Sequence, residues 1–236
     1  MTMTYTGDVS PAGPADVREL DALTIRKASV GPMDNNAYLL TCRRSGAQLL
    51  VDAAADPDRL LALIREGSRE ARLDGILTTH RHHDHIGALA SVVAVTGART
   101  HAGVDDAHAI ADAAGVRVDG RLRHGSMLPL GDLALEVVAL RGHTPGSIAL
   151  VYREPSDARA PGASPGRAHL FTGDSLFPGG PGRTSGGPDF DSLMDDLEQR
   201  VFTALPDDTW VYPGHGRDTT LGAERPHLAE WRARRW

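Results

Sequence analysis

The stretch THRHHDHIG, residues 79–87, carries four histidines and one aspartate between His80 and His85. Imidazole nitrogens and carboxylate oxygens are the donors a divalent transition-metal ion takes when no thiolate is on offer. An apolar run, DGILTT, leads into the cluster and reads as a buried strand. On a strand, residues i and i+2 share a side, so His80 and His82 can point at one object. Asp84 and His85 fall where the chain turns into a helix and can face a second object close by. Without a metal, so dense a cluster would repel itself when protonated.

Further donors stand at the ends of later strands: His143 in LRGHTPGS, Asp174 in LFTGDSLF and His215 in VYPGHG. Each adjoins glycine, which lets the backbone turn sharply and bring the side chain in. Ligand sites of α/β folds gather in loops at one edge of the sheet. Four strand-end loops bearing His80, His82, Asp84, His85, His143, Asp174 and His215 are therefore expected to form one site. No G-x-S-x-G turn is present, and the single cysteine, Cys42, reads as a packing residue. Neither a serine nor a cysteine nucleophile is expected.

The elements that must position these residues alternate in type. Residues 23–30, 36–42 and 47–53 read as an antiparallel meander. Residues 56–67 read as a helix with Asp56 as N-cap, Pro57 at its first position and Gly67 closing it. Helices are expected over 85–97 and 103–115. Strands are expected over 126–131, 133–140, 147–153 and 168–174, a helix over 189–205, a strand leading into His215, and a last helix over 223–231. Residues 154–167, rich in Pro, Gly, Ala and Ser, read as a long exposed hairpin loop.

A chain of 236 residues suits one large α/β domain or two small ones. The formal net charge of −6 argues against nucleic-acid binding by bulk electrostatics. No run approaches the length of a membrane span. The N-terminus lacks a basic stretch followed by an apolar one, so the expectation is a cytoplasmic protein with no membrane partner. Residues 1–20 are expected to be a mobile tail and residues 21–236 the functional domain.

THRHHDH resembles the T-H-x-H-x-D-H signature of the metallo-β-lactamase superfamily, and His143, Asp174 and His215 follow in that family's order. The resemblance runs from about Leu23 to His227. It implies an α/β fold of four layers, an αβ/βα sandwich with the metals at one edge. It also implies two divalent ions, zinc first and iron or manganese as alternatives. One would take His80, His82 and His143, the other Asp84, His85 and His215, with Asp174 bridging them. Asp84 and Asp174 would orient the attacking water.

Within the superfamily, TGDSLFPGGPGRTSG is similar to the TGD-x-L-F-x-GG-x-GR segment of the glyoxalase II branch. That implies a thioesterase in which metal-bound hydroxide attacks an S-acyl thiol, a small-molecule thiol conjugate. Longer glyoxalase II enzymes hold glutathione on a C-terminal helical domain, whereas 21 residues follow His215 here, room for about one helix. The thiol carrier therefore stays open. Persulfide dioxygenases resemble the chain over the same motifs and imply the alternative: one iron held by His80, His143 and Asp174. Pro181 stands where both branches usually have cysteine and favours neither. A purely structural zinc site, closed by four ligands, fits seven donors poorly.

Arg183, in GPGRTSG, reads as a clamp for its glycine-rich loop ahead of a contact to an anionic substrate. Asn36 and Tyr38 read as framework. His83 is expected beside the site or exposed, and His101, His108, His124, His169 and His227 on the surface or in loops.

Overall fold

The computed structural model describes residues 5–68, 70 and 72–235. The first half of the chain runs β1 (Asp16–Glu19), β2 (Leu23–Val30), β3 (Asn35–Cys42), β4 (Gln48–Val51), α1 (Pro57–Gly67), β5 (Gly75–Thr78), α2 (Leu89–Thr96), β6 (Arg99–Gly103), α3 (Ala107–Ala114) and β7 (Gly120–Leu122). The second half runs β8 (Met127–Leu130), β9 (Leu133–Ala139), β10 (Ile148–Arg153), β11 (Ala168–Gly173), β12 (Leu176–Phe177), β13 (Gly180–Pro181), α4 (Gly187–Leu197), β14 (Trp210–Pro213), β15 (Thr219–Thr220), α5 (Leu221–Glu224) and α6 (Leu228–Arg234). Strands β1 to β7 form one sheet in sequence order, and a second sheet has the order β15-β14-β11-β10-β9-β8.

The period-2 alternation of the strands explains why the sheets stack. In β3, Ala37 and Leu39 face one way and pack with Leu60, Leu63 and Ile64 of α1. Tyr38 and Leu40 face the other way and meet Leu150, Phe171 and Tyr212 of the second sheet. The outer face of that sheet, with Ala149, Val151, Leu170 and Val211, is covered by Phe190, Leu193, Met194 and Leu197 of α4 and by Trp231 of α6. Helix, sheet, sheet, helix is the four-layer αβ/βα sandwich. Each fully buried Leu, Ile or Phe contributes roughly 1.5–3 kcal/mol by leaving water, and the three apolar layers are what hold the sheet edges rigid.

Parallel pairing places the strand ends that matter at one edge. β4 runs parallel to β5 and β11 parallel to β14. The two sheets are joined at that edge by backbone bonds, Ile148 N to Thr79 O at 3.0 Å and Asn36 N to Gly214 O at 2.7 Å.

Several elements differ from the sequence reading. Residues 5–20 are seated on the domain: β1 pairs with β2, and Tyr5 Oη donates to Asp218 Oδ2 at 2.7 Å. Lys27, fully buried, donates to Gly7 O, Gly216 O and Asp218 Oδ1, so charges 191 positions apart tie this segment down. β6 and β7 are strands that the sequence reading did not expect; β6 ends at Gly103, which was expected to open a helix. Asp56 does not cap α1 with its side chain; its Oδ2 instead accepts from Gly31 N at 2.7 Å. The α4 helix begins at Gly187, earlier than Asp189, and continues as one π-helical turn over Glu198–Phe202. The 154–167 segment does join β10 and β11 as a hairpin loop, but it is anchored, with Arg159 N and Ala160 N on the carboxylate of Asp21. No helix among the described residues is long and apolar enough to cross a membrane.

Candidate metal centre

All seven donors picked out in the sequence meet at this edge. His80 Nε2 lies 3.1 Å from His82 Nδ1 and 3.2 Å from His143 Nε2. Beside this trio, His85 Nε2 lies 3.3 Å from His215 Nε2, and Asp84 Oδ2 lies 3.3 Å from His215 Nε2 and 3.5 Å from His85 Nε2. Asp174 faces both sets: Oδ1 is 3.3 Å from His85 Nε2, while Oδ2 is 3.5 Å from His215 Nε2 and 3.7 Å from His143 Nε2.

These spacings fit metal ions. A tetrahedral ion bonding nitrogen at about 2.0–2.1 Å sets its donors about 3.3 Å apart. The donor atoms of His80, His82 and His143, of Asp84, His85 and His215, and of His80, His85 and Asp174 can each hold an ion. One buried atom speaks for a cation directly: Asp174 Oδ1 receives no hydrogen bond, although His85 Nε2 is close by.

The orientation of each imidazole is set by what its other nitrogen touches. His85 Nδ1 donates to Asp52 Oδ2 at 2.8 Å, His143 Nδ1 to Arg183 O at 2.6 Å and His215 Nδ1 to Met33 O at 2.9 Å. His80 Nδ1 bonds Thr79 Oγ1 at 3.1 Å, and that hydroxyl donates to Asp52 Oδ2 at 2.8 Å. Such partners fix the tautomer and turn Nε2 toward a metal. Asn35 Nδ2 donates to Asp84 Oδ2 at 2.9 Å. Asp106, fully buried, accepts from Arg81 N, Thr144 Oγ1 and Gly146 N, locking the His80–His82 turn to the His143 loop.

The charges are consistent with a site built around positive ions. Burial lowers the pKa of His80, and the neighbouring His85 adds to it. Burial alone would lower His85 too, but the Asp52 carboxylate and Asp174 outweigh it and hold the metal-free imidazole up at about 10. Burial opposes ionisation of Asp174, yet His215 and His85 hold it well below the usual carboxylate range. Burial likewise opposes ionisation of Asp84, and the Asn35 bond and His85 hold it low.

Two glycines are required by closeness. A methyl group on Gly214 would collide with Asp174 Oδ1 and the His85 ring, and one on Gly182 would collide with the Asp174 carbonyl. The site opens to solvent on one side: His82 is exposed and His215 half-buried, whereas His80 and His85 are buried.

The sequence reading missed Asp52, Thr79, Asn35 and Asp106. For Asp52 and Thr79 the one visible signal was position, a polar residue directly after an apolar strand; Asn35, at the start of β3, and Asp106, three residues past β6, carried none. Asn36 and Tyr38 brace the His215 loop, both bonding Pro213 O. Arg183 holds His143 by its backbone carbonyl; its side chain is exposed and makes no hydrogen bond or ion pair among the described residues, so the clamp expected of the guanidinium is absent. His83 is exposed. His169, expected on the surface, is fully buried between Glu154 Oε1 at 3.0 Å and Tyr212 Oη at 2.8 Å.

A four-layer αβ/βα sandwich with a histidine- and aspartate-rich centre at its edge defines a class of metal-binding protein. The profile of the Metallo-beta-lactamase superfamily matches residues 30–160, more than half of the chain, and the chain belongs to that family. It is 37% identical over 182 residues to a hydroxyacylglutathione hydrolase of Fuscovulum blasticum, covering 77% of this chain and 62% of that one. The chain thus spans less than two thirds of that relative's length. Among solved structures it is similar to ETHE1 from Myxococcus xanthus, with 28% identity, a TM-score of 0.69, and coverage of 86% of this chain and 82% of that one. It is also similar to TTHA1623 in a di-iron-bound form, with 33% identity, a TM-score of 0.64, and coverage of 84% and 95%.

Proposed function

We propose that this protein is a metal-dependent hydrolase of the glyoxalase II type, cleaving the thioester of a small S-acyl thiol. The observation that carries the reading is the pairing of two three-donor sets with Asp174 facing both. Support comes from the hydroxyacylglutathione hydrolase relative and from the di-iron form of a similar structure. His80, His82 and His143 would hold one divalent ion and Asp84, His85 and His215 the other, with Asp174 shared; zinc is the first choice and iron or manganese the alternatives. Two such ions supply Lewis acidity toward a carbonyl oxygen and make water a nucleophile near neutral pH.

The chain's own residues do the rest. Asp52, Arg183 O and Met33 O hold three imidazoles in the tautomer that leaves Nε2 free. Asp84 has Oδ2 engaged by Asn35, which fixes the plane of the carboxylate and leaves Oδ1 to accept a proton. The open side at His82 and His215 admits a small substrate. Cys42 is buried and supplies no nucleophile. The reading includes a cytoplasmic location.

The second reading is a persulfide dioxygenase with one iron on His80, His143 and Asp174. It is kept alive by the similarity to ETHE1. The second donor set does not separate the two readings, because persulfide dioxygenases resemble the chain over the same motifs; the hydroxyacylglutathione hydrolase relative is what favours the hydrolase. Metal content of the purified protein, with S-lactoylglutathione hydrolysis and oxygen uptake on glutathione persulfide measured on the same sample, decides. About two ions per chain with thioester turnover support the hydrolase. One iron with oxygen uptake and no thioester cleavage sinks it.

A further inference from the structure

The loop that carries His143 has a second face. There a cavity of about 250 Å³ has Gly103, Asp105, Arg123, Arg141, Gly146 and Arg200 in its lining. The chain as a whole is acidic, with 31 Asp and Glu against 25 Lys and Arg. This cavity concentrates positive charge: Arg123, Arg141 and Arg200 line it together with Asp105, and the carboxylates of Asp196 and Asp106 lie behind it, already bonded to Arg141 and to Gly146 N.

Two of the three cations are locked in place. Arg141 grips both oxygens of the buried Asp196, Nε to Oδ2 at 2.9 Å and Nη2 to Oδ1 at 2.7 Å. Arg200 places Nη2 3.2 Å from the same carboxylate and donates from Nη1 to Ala139 O at 2.8 Å. Asp196 is thereby fully engaged. Arg123 is different. Its backbone is pinned in a turn, N to Ser126 Oγ and O from Ser126 N, both at 3.0 Å. Its side chain is exposed and has no hydrogen bond or ion pair among the described residues. Two glycines of the lining sit too close to their neighbours for a side chain: a methyl group on Gly103 would collide with Gly146 O, and one on Gly146 with Asp106.

Arg123 offers a whole guanidinium fork and Arg141 the Nη1 left over from its grip on Asp196, beside the charge of Arg200, so a multi-oxygen anion can take several charge-assisted bonds here at once. We propose that this cavity is a binding site for a phosphate-type oxyanion, either a phosphate group on the thiol carrier or a free phosphate ion. Arg141 stands two residues before His143 and Pro145 two after it, so the occupant adjoins the loop that presents one of the metal-facing imidazoles.

The test is calorimetric titration of inorganic phosphate into the metal-loaded full chain, its R123Q variant and its R123K variant. Loss of one charge-assisted contact is expected to weaken phosphate binding roughly ten-fold or more in R123Q. R123K, which keeps the charge but not the fork, weakens binding less than R123Q, and melting temperature and metal content stay at the parent's values in both. An affinity unchanged in R123Q, or no phosphate binding to the parent, overturns the site. A crystal of the parent soaked in tungstate gives the second readout: anomalous density between Arg123, Arg141 and Arg200 supports the site, and density at the metal centre alone overturns it. The source of the anion is read from kinetics, an arm that rests on the thioesterase reading while the binding arm stands without it. Phosphate that competes with a phosphate-bearing thioester, with KM alone raised in R123Q, assigns the carrier; phosphate that changes kcat assigns a free ion.

Discussion

Replacing Asp52 by asparagine keeps the shape of the side chain but removes its negative charge and one acceptor oxygen. Asp52 is 1% exposed and accepts three hydrogen bonds: from Thr79 N at 2.7 Å, Thr79 Oγ1 at 2.8 Å and His85 Nδ1 at 2.8 Å. Its φ of +60° is left-handed, a region asparagine tolerates as well as aspartate, so the backbone does not confound the test. The amide oxygen can still take the Thr79 N–H, but the amide nitrogen cannot accept from His85 or from the threonine hydroxyl. His143 and His215 rest on neutral backbone carbonyls; His85 alone among the three rests on a carboxylate. Loss of such a partner weakens a metal site by roughly 10–100-fold, about 1.4–2.7 kcal/mol. The loss is expected at the Asp84–His85–His215 set first, with a smaller effect at His80 through Thr79. Chelator competition that resolves two binding steps measures it: one step moves and the other moves less. Equal weakening of both steps, or none, would refute the claim that Asp52 acts through His85.

Gly214→Ala should place a methyl group against Asp174 Oδ1 and His85; elemental analysis is expected to show fewer than two ions per chain, with far-UV circular dichroism unchanged. Stripping the metals should lower the melting temperature, and adding zinc at about a hundred times its Kd should restore about 2.7 kcal/mol of stability; an unchanged melting temperature would show that the clustered histidines hold nothing. Burial pushes the His169 imidazole below its ordinary value, and the Glu154 bond only partly offsets that. The unfolded chain then binds a proton that the folded chain refuses, so stability should fall as pH drops through about 6.5. Urea unfolding of His169→Gln should show a shallower fall over that window, and an identical slope would count against the assignment.

What could be read from the sequence was chemistry packed into short stretches. His80 to His85 are neighbours in the chain, and His143, Asp174 and His215 each stand beside glycine at a strand end, so their residue types and turns announce them. The layers were legible for a related reason, because the long strands carry apolar residues on both faces. What escaped was set by partners far away in sequence. Asp52 looks like any aspartate after a strand until Thr79 and His85 arrive on the parallel neighbour. His169 looks like a loop histidine until Glu154 and Tyr212 close around it. The N-terminal segment looks like a tail because Tyr5 and Gly7 are held by Asp218 and Lys27, which no local pattern reveals. β6, with the sequence RTHAG, is short and polar enough that only its place beside β5 makes it a strand.

The same long reach bears on how the chain stays folded. His85 and His215 are 130 positions apart yet face each other at 3.3 Å. An ion gripped by both, and by Asp84, works as a covalent bridge would, removing conformations from the unfolded chain. For a disulfide, a closed loop of about 100 residues is worth about 4.7 kcal/mol in the chain-entropy picture. A chain whose lone cysteine rules out an internal disulfide would thus find in such an ion the cross-link that sulfur cannot give it, and depleting the metal would loosen the fold.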